Sequence, residues 1–483
     1  MARPDFDILV VGGGSAGLTV SIAGRALGMR VAQVERYRMG GECLWTGCVP
    51  SKALLHAAAL AHAAREAAEA GLVEADPAAP IDFGRAMAHV QAAIETIAPH
   101  DSAQAQGRRG IKVFDAHATL LGGGRVQVGA QTVTARHIVL CTGSRPRIPD
   151  VPGMDQLVYH THETIFGLTH LPGQLAIIGG GPEGCELAQA FARLGSRVVL
   201  IQRNRRLLAN DDEEASALIR TVLEREGVTV LTSALLKRVV PSDVHHARLL
   251  HVDVNGQEHT IEADAVLVAA GREPVVDGLG LDEAGVKVGP DGIVVDAYMR
   301  TTAPGIWACG DCVGPYRYTH AAETQGRQLV RNLLFPWKMR PIDLRGLPWA
   351  TFTDPESAHV GLTEAAARSK YGKGAIRTVL LPLSEVDRAV CEGATDGFVK
   401  YTLRGQKLVG AQVVAPRAGE LIQQLALLLH QRLPRHVLES AHVYPTYSYA
   451  LHQANDRANY VRRSESRVWS FTLRVLRRFA LGA

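Results

Sequence analysis

A chain of 483 residues has length for about three domains, each able to bury its own core. Hydrophobic residues make up 47% of it, yet no run of 18 apolar positions occurs, which excludes an apolar membrane-spanning helix. Its 52 basic and 48 acidic residues leave a net charge of +4, and six arginines after Tyr460 carry that excess, so nucleic-acid binding is not expected.

The N-terminus passes without a signal-peptide layout into a predicted strand over residues 7–11, so a cytoplasmic location is expected. Gly12-Gly13-Gly14-Ser15-Ala16-Gly17 follows at once and opens a helix of small residues, which is G-x-G-x-x-G in its required context. Gly12 makes the tight turn, and Gly14 lets the backbone approach a pyrophosphate beside Ser15 and Ala16 at the helix N-terminus. Gly17 lets helix pack closely on strand. Glu35 closes the next predicted strand, 30–34, at the distance expected of a carboxylate that accepts from ribose hydroxyls.

The segment Gly40-Gly41-Glu42-Cys43-Leu44-Trp45-Thr46-Gly47-Cys48-Val49-Pro50-Ser51-Lys52 places two cysteines five apart, ahead of a helix predicted over 52–70. An ideal helix rises about 1.5 Å per residue, so this pair can bridge only across distorted backbone. Gly47 relieves the turn before the second cysteine, and Pro50 suits a first helical turn. Seven cysteines in such a chain are not a disulfide framework.

A strand over 137–140 leads into Cys141-Thr142-Gly143-Ser144. A second fingerprint, Gly179-Gly180-Gly181-Pro182-Glu183-Gly184, then follows a strand over 175–178 and opens a helix through residue 194. The strand 198–201 ends not in an acid but in Gln202 and Arg203, with Arg205 and Arg206 behind. An acid would repel a 2′-phosphate and guanidinium groups bind one, so NADPH is expected here rather than NADH; a solvated turn is the plainer reading of these arginines. His245, His246, His251 and His259 fall in a predicted hairpin, at spacings that fit no metal site.

Thr302-Ala303-Pro304-Gly305-Ile306-Trp307-Ala308-Cys309-Gly310-Asp311 reads as a buried strand ending in Gly-Asp, and Thr319-His320-Ala321-Ala322 opens a helix to residue 334. From residue 347 the pattern changes to strands (348–356, 359–362, 397–403, 407–414) and an apolar helix over 420–430. In the tail, Val468, Thr472, Val475 and Phe479 alternate with Arg467, Arg474 and Arg478 at helical spacing; packing on a dimer, or contact with a membrane surface, would explain it.

Together these motifs resemble the flavin-containing pyridine nucleotide-disulfide oxidoreductases over residues 5–460, nearest to the mercuric reductase branch. The resemblance implies an α/β fold of two Rossmann-like nucleotide-binding domains, for FAD and NADP, and a C-terminal α+β domain through which homodimers form. The expected regions are 1–150 (FAD, first part), 151–272 (NADP), 273–345 (FAD, second part), 346–460 (interface) and 461–483 (basic amphipathic tail). It also implies a redox-active disulfide between Cys43, the interchange thiol, and Cys48, the thiol facing the flavin. Lys52 would lie beside the flavin with Glu186 as its partner. Hydride would pass from NADPH to FAD, and electrons onward to the sulfur pair. Gly41, Glu42, Thr142, Gly143, Gly310, Asp311, His320 and Ala321 would join the first fingerprint in holding FAD. Gly179, Gly181, Pro182, Glu183, Gly184, Arg203 and Gly271 would hold NADPH.

His442-Val443-Tyr444-Pro445-Thr446-Tyr447-Ser448-Tyr449 departs from the disulfide-reducing members, where a histidine precedes Pro-Thr and a glutamate lies three after the threonine. Here Tyr444 and Tyr449 hold those places. A phenol of pKa about 10 is a poor base near pH 7, so lipoamide and glutathione are disfavoured as acceptors. Mercuric reductase proper delivers its metal through a C-terminal cysteine pair, and this sequence has no cysteine after Cys391. A metal ion, a quinone and an uncommon thiol compound remain as acceptors. The rivals are an NAD-dependent dihydrolipoamide dehydrogenase and a flavin-bound redox sensor.

Overall fold

The computed structural model describes residues 3–76, 78–241 and 248–465, with the side chains of 241 and 460–465 left aside. Residues 461–483, expected as a basic tail, therefore lie for the most part outside the described residues, as do His245 and His246. The chain forms two compact units, residues 1–203 with 226–344, and 204–225 with 345 onward.

The first unit is built around β1 (Phe6–Val11), an apolar strand whose Ile8, Leu9 and Val10 are fully buried. Burial on both faces is what a central parallel strand requires. Helix α1 (Ser15–Ala26) returns the chain to β2 (Val31–Glu35), and α2 (Gly41–Trp45) and α3 (Cys48–Glu69) follow. Helices α4 (Phe83–Asp101) and α5 (Ala103–Arg108) lead to β3 (Lys112–Asp115), then β4 (Ala118–Gly122), β5 (Arg125–Val128) and β6 (Gln131–Leu140). The strand order is β3-β2-β1-β6-β5-β4; β3, β2, β1 and the end of β6 run parallel, whereas β4 and β5 form an antiparallel extension.

A short β7 (Ser144–Pro146) leaves this sheet for a second one. Its strand β8 (Gln174–Ile178), helix α6 (Pro182–Leu194) and strand β9 (Arg197–Ile201) repeat the opening β1-α1-β2 unit. After α7 (Glu213–Arg225), which belongs to the other unit, come β10 (Thr229–Leu231), the antiparallel ladder β11 (Ala234–Pro241), β12 (Arg248–Val254), β13 (Gln257–Ala263), and β14 (Ala265–Val268). The parallel order β10-β9-β8-β14 places the strand ends at α6's N-terminus, where open α/β sheets take nucleotides. Strand β15 (Arg272–Pro274) pairs with β7. A two-residue ladder, β16 (Val288–Gly289) with β17 (Gly292–Ile293), precedes β18 (Ile306–Ala308), which joins the first sheet beside β6, and α8 (Thr319–Leu334) packs on α1.

The second unit is an antiparallel sheet of order β19-β20-β23-β22-β21, from β19 (Pro348–Thr351), β20 (Glu356–Gly361), β21 (Ile376–Pro382), β22 (Phe398–Arg404) and β23 (Lys407–Ala415). The apolar run expected as one strand over 348–356 is interrupted at 352–355, where Asp354-Pro355 turns the chain into β20. Helices α9 (Glu364–Tyr371), α10 (Asp387–Cys391), α11 (Ala418–Gln431) and α12 (Tyr449–Glu465) complete it. Alternation on β22 separates two environments: Val399, Tyr401 and Leu403 enter a core with Leu421, Ile422 and Leu451. Lys400 points the other way, 2% exposed, with its ammonium 2.7 Å from Glu364, 2.8 Å from Glu214 and 3.6 Å from Asp212. Among the described residues no helix is long and apolar enough to cross a membrane.

Lys400→Ala would leave the buried Asp212 without its cation. Urea denaturation of the variant is expected to show a loss of about 3 kcal/mol, the scale for breaking one partner out of a buried ion pair.

Candidate active site

Helix α3 begins at Cys48, four residues ahead of the expected start, because Pro50 falls in its first turn, where a missing N–H forfeits no helical bond. Cys43 lies on α2, so Thr46 and Gly47 form a break between two helices rather than a turn of one. A Cβ at Gly47 would stand 3.0 Å from the Glu42 carbonyl oxygen and 3.3 Å from Cys43 Cα; glycine allows that close approach. This break brings the thiols together in spite of their spacing.

The two thiols are free and hydrogen-bond to one another, with Cys43 donating. That bond raises the Cys43 thiol far above its ordinary value, and burial adds to it. The same bond brings Cys48 down to about 6 against the cost of burial, aided by Thr319 and the charge of Lys52 and opposed by Glu42. Thr319 Oγ1, in the first turn of α8, lies 3.4 Å from Cys48 Sγ. Cys48 also opens a helix, whose dipole favours a thiolate. Lys52 stands one turn further along α3 and donates to Glu186 on α6 at 2.8 Å, with the Glu186 carboxylate nearly buried. The pair joins residues 134 apart in sequence where α3 packs on α6.

The turns that open α1 and α6 repeat each other. Gly12 has φ +117° and Gly179 φ +120°; a Cβ on Gly17 would fall 2.0 Å from the Gly12 carbonyl oxygen, and one on Gly184 1.8 Å from that of Gly179. Neither Gly14 nor Gly181 caps its helix with a side chain, which leaves the backbone N–H groups of Ser15, Ala16 and Gly17, and of Glu183 and Gly184 behind Pro182, without a side-chain cap, as a phosphate-binding helix N-terminus requires. A Cβ on Gly181 would meet nothing within 4 Å. These open, uncapped helix ends fit a dinucleotide each.

Glu35 accepts from the backbone N–H of Gly13 at 2.6 Å and of Tyr37 at 2.8 Å, which holds its carboxylate against the glycine turn. Asp311, at Gly310 after β18, accepts from Ser144 Oγ at 2.6 Å, and burial raises its carboxyl above the ordinary range. Thr142 donates to the Val275 carbonyl, Gly143 and Gly271 both have positive φ, Gly41 opens α2, and Ala321 is buried beside His320, which stacks on Tyr318. Cys309 and Cys312, buried around Asp311, do not face each other: Cys309 Sγ lies 3.6 Å from Cys141, while Cys312, pushed up to about 12 by burial, donates to backbone carbonyls.

At the second nucleotide turn, Gln202 is buried and accepts from Gly180 N–H at 3.3 Å, while Arg203 is exposed at the end of β9. The expectation that Arg205 and Arg206 add to a phosphate site meets a difference. Arg205 is ion-paired with Glu213, and Arg206 donates to the carbonyls of Ala209 and Asp211, so both serve their own loop. His251 and His259 lie on β12 and β13, and no cluster of three or more metal-binding side chains forms among the described residues.

In the second unit, Tyr444 is 60% exposed and donates to Asp387 at 2.5 Å; this bond raises its phenol above the ordinary value. Its ring meets Tyr449 edge-on at 5.6 Å, and Tyr449 meets His452 at 5.4 Å. His442 turns Nδ1 to the Ser440 carbonyl. Sequence reasoning missed Thr319, Asp387, Arg272 and His162. Arg272 directly follows the glycine turn at Gly271, a signal that was available; nothing local marks His162.

Residues 6–326 match the family described as pyridine nucleotide-disulphide oxidoreductase, and residues 347–455 match its dimerisation domain. The chain is 34% identical to a mercuric reductase of Staphylococcus aureus over 88% of its own length and 77% of the relative's. It is 33% identical to a dihydrolipoyl dehydrogenase of Thermus scotoductus over 93% and 96%. Among solved structures it resembles the Cu(II) complex of the HOCl-induced flavoprotein disulfide reductase RclA from Escherichia coli, with TM-score 0.82 and 26% identity over 94% of this chain and 99% of that one.

Alkylation of Cys48 by iodoacetamide, read by peptide mass, is expected to persist down to about pH 6 and to fall away below it, since a depressed thiol pKa leaves the thiolate present above that value. Thr319→Val removes a hydrogen bond to the thiolate and should move this midpoint up by about one unit.

Proposed function

Because the chain belongs to the pyridine nucleotide-disulphide oxidoreductases, flavin-dependent enzymes that bind FAD and use NAD(P)H, we propose that it passes electrons from NADPH through Cys43 and Cys48 to a thiophilic metal ion. The observation that carries this choice of acceptor is the pair of phenols at Tyr444 and Tyr449, with Tyr444 hydrogen-bonded to Asp387. Reducing a disulfide needs a group that takes up and returns a proton near pH 7, and a phenol raised above its usual value stays protonated there. Oxidising the Cys43 and Cys48 pair to a disulfide while two electrons pass to a thiophilic metal releases the Cys43 proton, but no leaving thiolate has to be protonated.

Bound FAD supplies the two-electron carrier between nicotinamide and thiols. The α1 turn, with Glu35, Thr142, Gly143, Gly310 and Asp311, is the proposed cradle for it; the α6 turn, with Arg203 and Gly271, is proposed for NADPH. Cys48 is kept as thiolate by Cys43, Thr319 and Lys52, and Cys43, protonated beside it, is the thiol proposed to meet the acceptor. Glu186 fixes the Lys52 ammonium, so that a positive charge stays one helical turn from Cys48. The absence of an acid after β9 and the exposed Arg203 support NADPH over NADH. We propose a homodimer, formed through residues 347–455.

NADPH oxidation followed with Cu(II), Hg(II), a quinone and lipoamide side by side tests the acceptor. Turnover with the metal ions, reduced at least about 100-fold in Cys43→Ser, is the expected result, and efficient lipoamide turnover would overturn it. Arg203→Glu is expected to lower kcat/KM for NADPH about tenfold while sparing NADH, because it replaces a phosphate partner with a like charge.

A further inference from the structure

Immediately before Cys43, the Glu42 carboxylate is held by groups that come from far along the chain. Arg272 Nη2 on β15 forms an ion pair with it, and His162 Nε2 lies 3.3 Å from its other oxygen. His162 is 4% exposed, and its ring also faces Arg272 Nη1 at 3.3 Å and the Glu183 carboxylate, in the first turn of α6, at 3.9 Å. Arg272 in turn donates to Ser144 Oγ at 2.9 Å and approaches Asp311 at 3.8 Å. Glu42, Glu183 and Arg272 are thus the charged groups that meet this ring, with Asp311 behind Arg272, and they come from four separate stretches of chain.

Glu42 is the charge that opposes a thiolate on Cys48. Burial pushes the Glu42 carboxyl up, but the hydrogen bond with His162 and the charge of Arg272 outweigh it, so the carboxylate stays ionised and neutralised by its partners. Glu42 directly precedes Cys43, and at 36% side-chain exposure an unpaired carboxylate there would still repel a nearby thiolate, though less than a fully buried one.

We propose that His162 is a positioning residue for the thiol pair: with Arg272 it holds Glu42 in a neutralised cluster, so that the carboxylate does not act unscreened on the Cys48 sulfur. The same imidazole ties this cluster to the first turn of α6, the proposed NADPH site, so the charge seen by the thiols depends on the nucleotide-binding helix keeping its place. The inference rests on the electron path through Cys43 and Cys48 proposed above.

The test is a double-mutant cycle on the FAD-loaded protein, reduced anaerobically with NADPH and titrated with pH while its long-wavelength thiolate-to-flavin absorbance is read. His162→Gln is expected to raise the midpoint of that absorbance by about half a pH unit. In a Glu42→Gln background, where the charge is gone, the same substitution should leave the midpoint in place. Equal shifts in both backgrounds, or none in the first, would overturn the proposal, since a merely structural effect of His162 does not depend on the charge of Glu42. If His162→Gln or Glu42→Gln does not retain FAD, the midpoint of Cys48 alkylation by iodoacetamide, which needs no flavin, is compared across the same four proteins against the same criterion. Absence of the absorbance in the unaltered protein sinks the electron path itself and this inference with it, whereas a normal band with no coupling sinks the inference alone.

Discussion

Two sulfurs five positions apart can share a hydrogen bond here because the backbone between them is not one helix. Cys43 ends up on a short helix and Cys48 at the start of a long one, with a glycine between them that no side chain could replace without pressing on the Glu42 carbonyl. The bond makes the two thiols unlike: one is held protonated, and the other becomes a thiolate close to neutral pH. A pair of identical residues thereby acquires two chemical characters, which a two-thiol relay requires.

The charges around that pair are arranged in two sets. On the side of α3 and α6, Lys52 offers a cation to the thiolate and Glu186 keeps it from wandering. On the side of α2 and β15, an acid that would disfavour the thiolate is neutralised by Arg272 and His162. Glu186 and His162 are nearly buried, so a missing partner at either is costly, whereas Lys52 and Glu42 keep 39% and 36% of their side-chain surface exposed and their charges are partly screened. Both sets reach to α6, so the helix proposed to take the pyridine nucleotide also fixes the electrostatics of the sulfur site.

The second unit follows a different economy. Its antiparallel sheet buries Tyr401 and Leu403 on one face, while Lys400 on the other gathers Asp212, Glu214 and Glu364. The segment after α11 presents exposed Tyr444, bonded to Asp387 and edge-on to Tyr449, so two phenols stand where the resemblance places an imidazole and a carboxylate in disulfide-reducing members. The phenol remains a donor across the neutral range, and this restricts the acceptors the protein is proposed to serve.

By itself the sequence determined what depends on near neighbours along the chain: two strand-glycine-helix turns, the Gly-Asp end of a buried strand, the cysteine pair, and the missing dyad at Tyr444 and Tyr449. Each is a local pattern of residue types with one stereochemical meaning, as the glycine contacts at Gly17 and Gly184 show. Only the tertiary structure decided the start of α3 at Cys48, the employment of Arg205 and Arg206 in their own loop, and the meeting of Thr319 with Cys48. It alone brought His162 and Arg272 to Glu42, across separations of more than a hundred residues. Such partners are chosen by how sheets and helices pack, and a single chain read in order carries no distance between residues that only packing brings together.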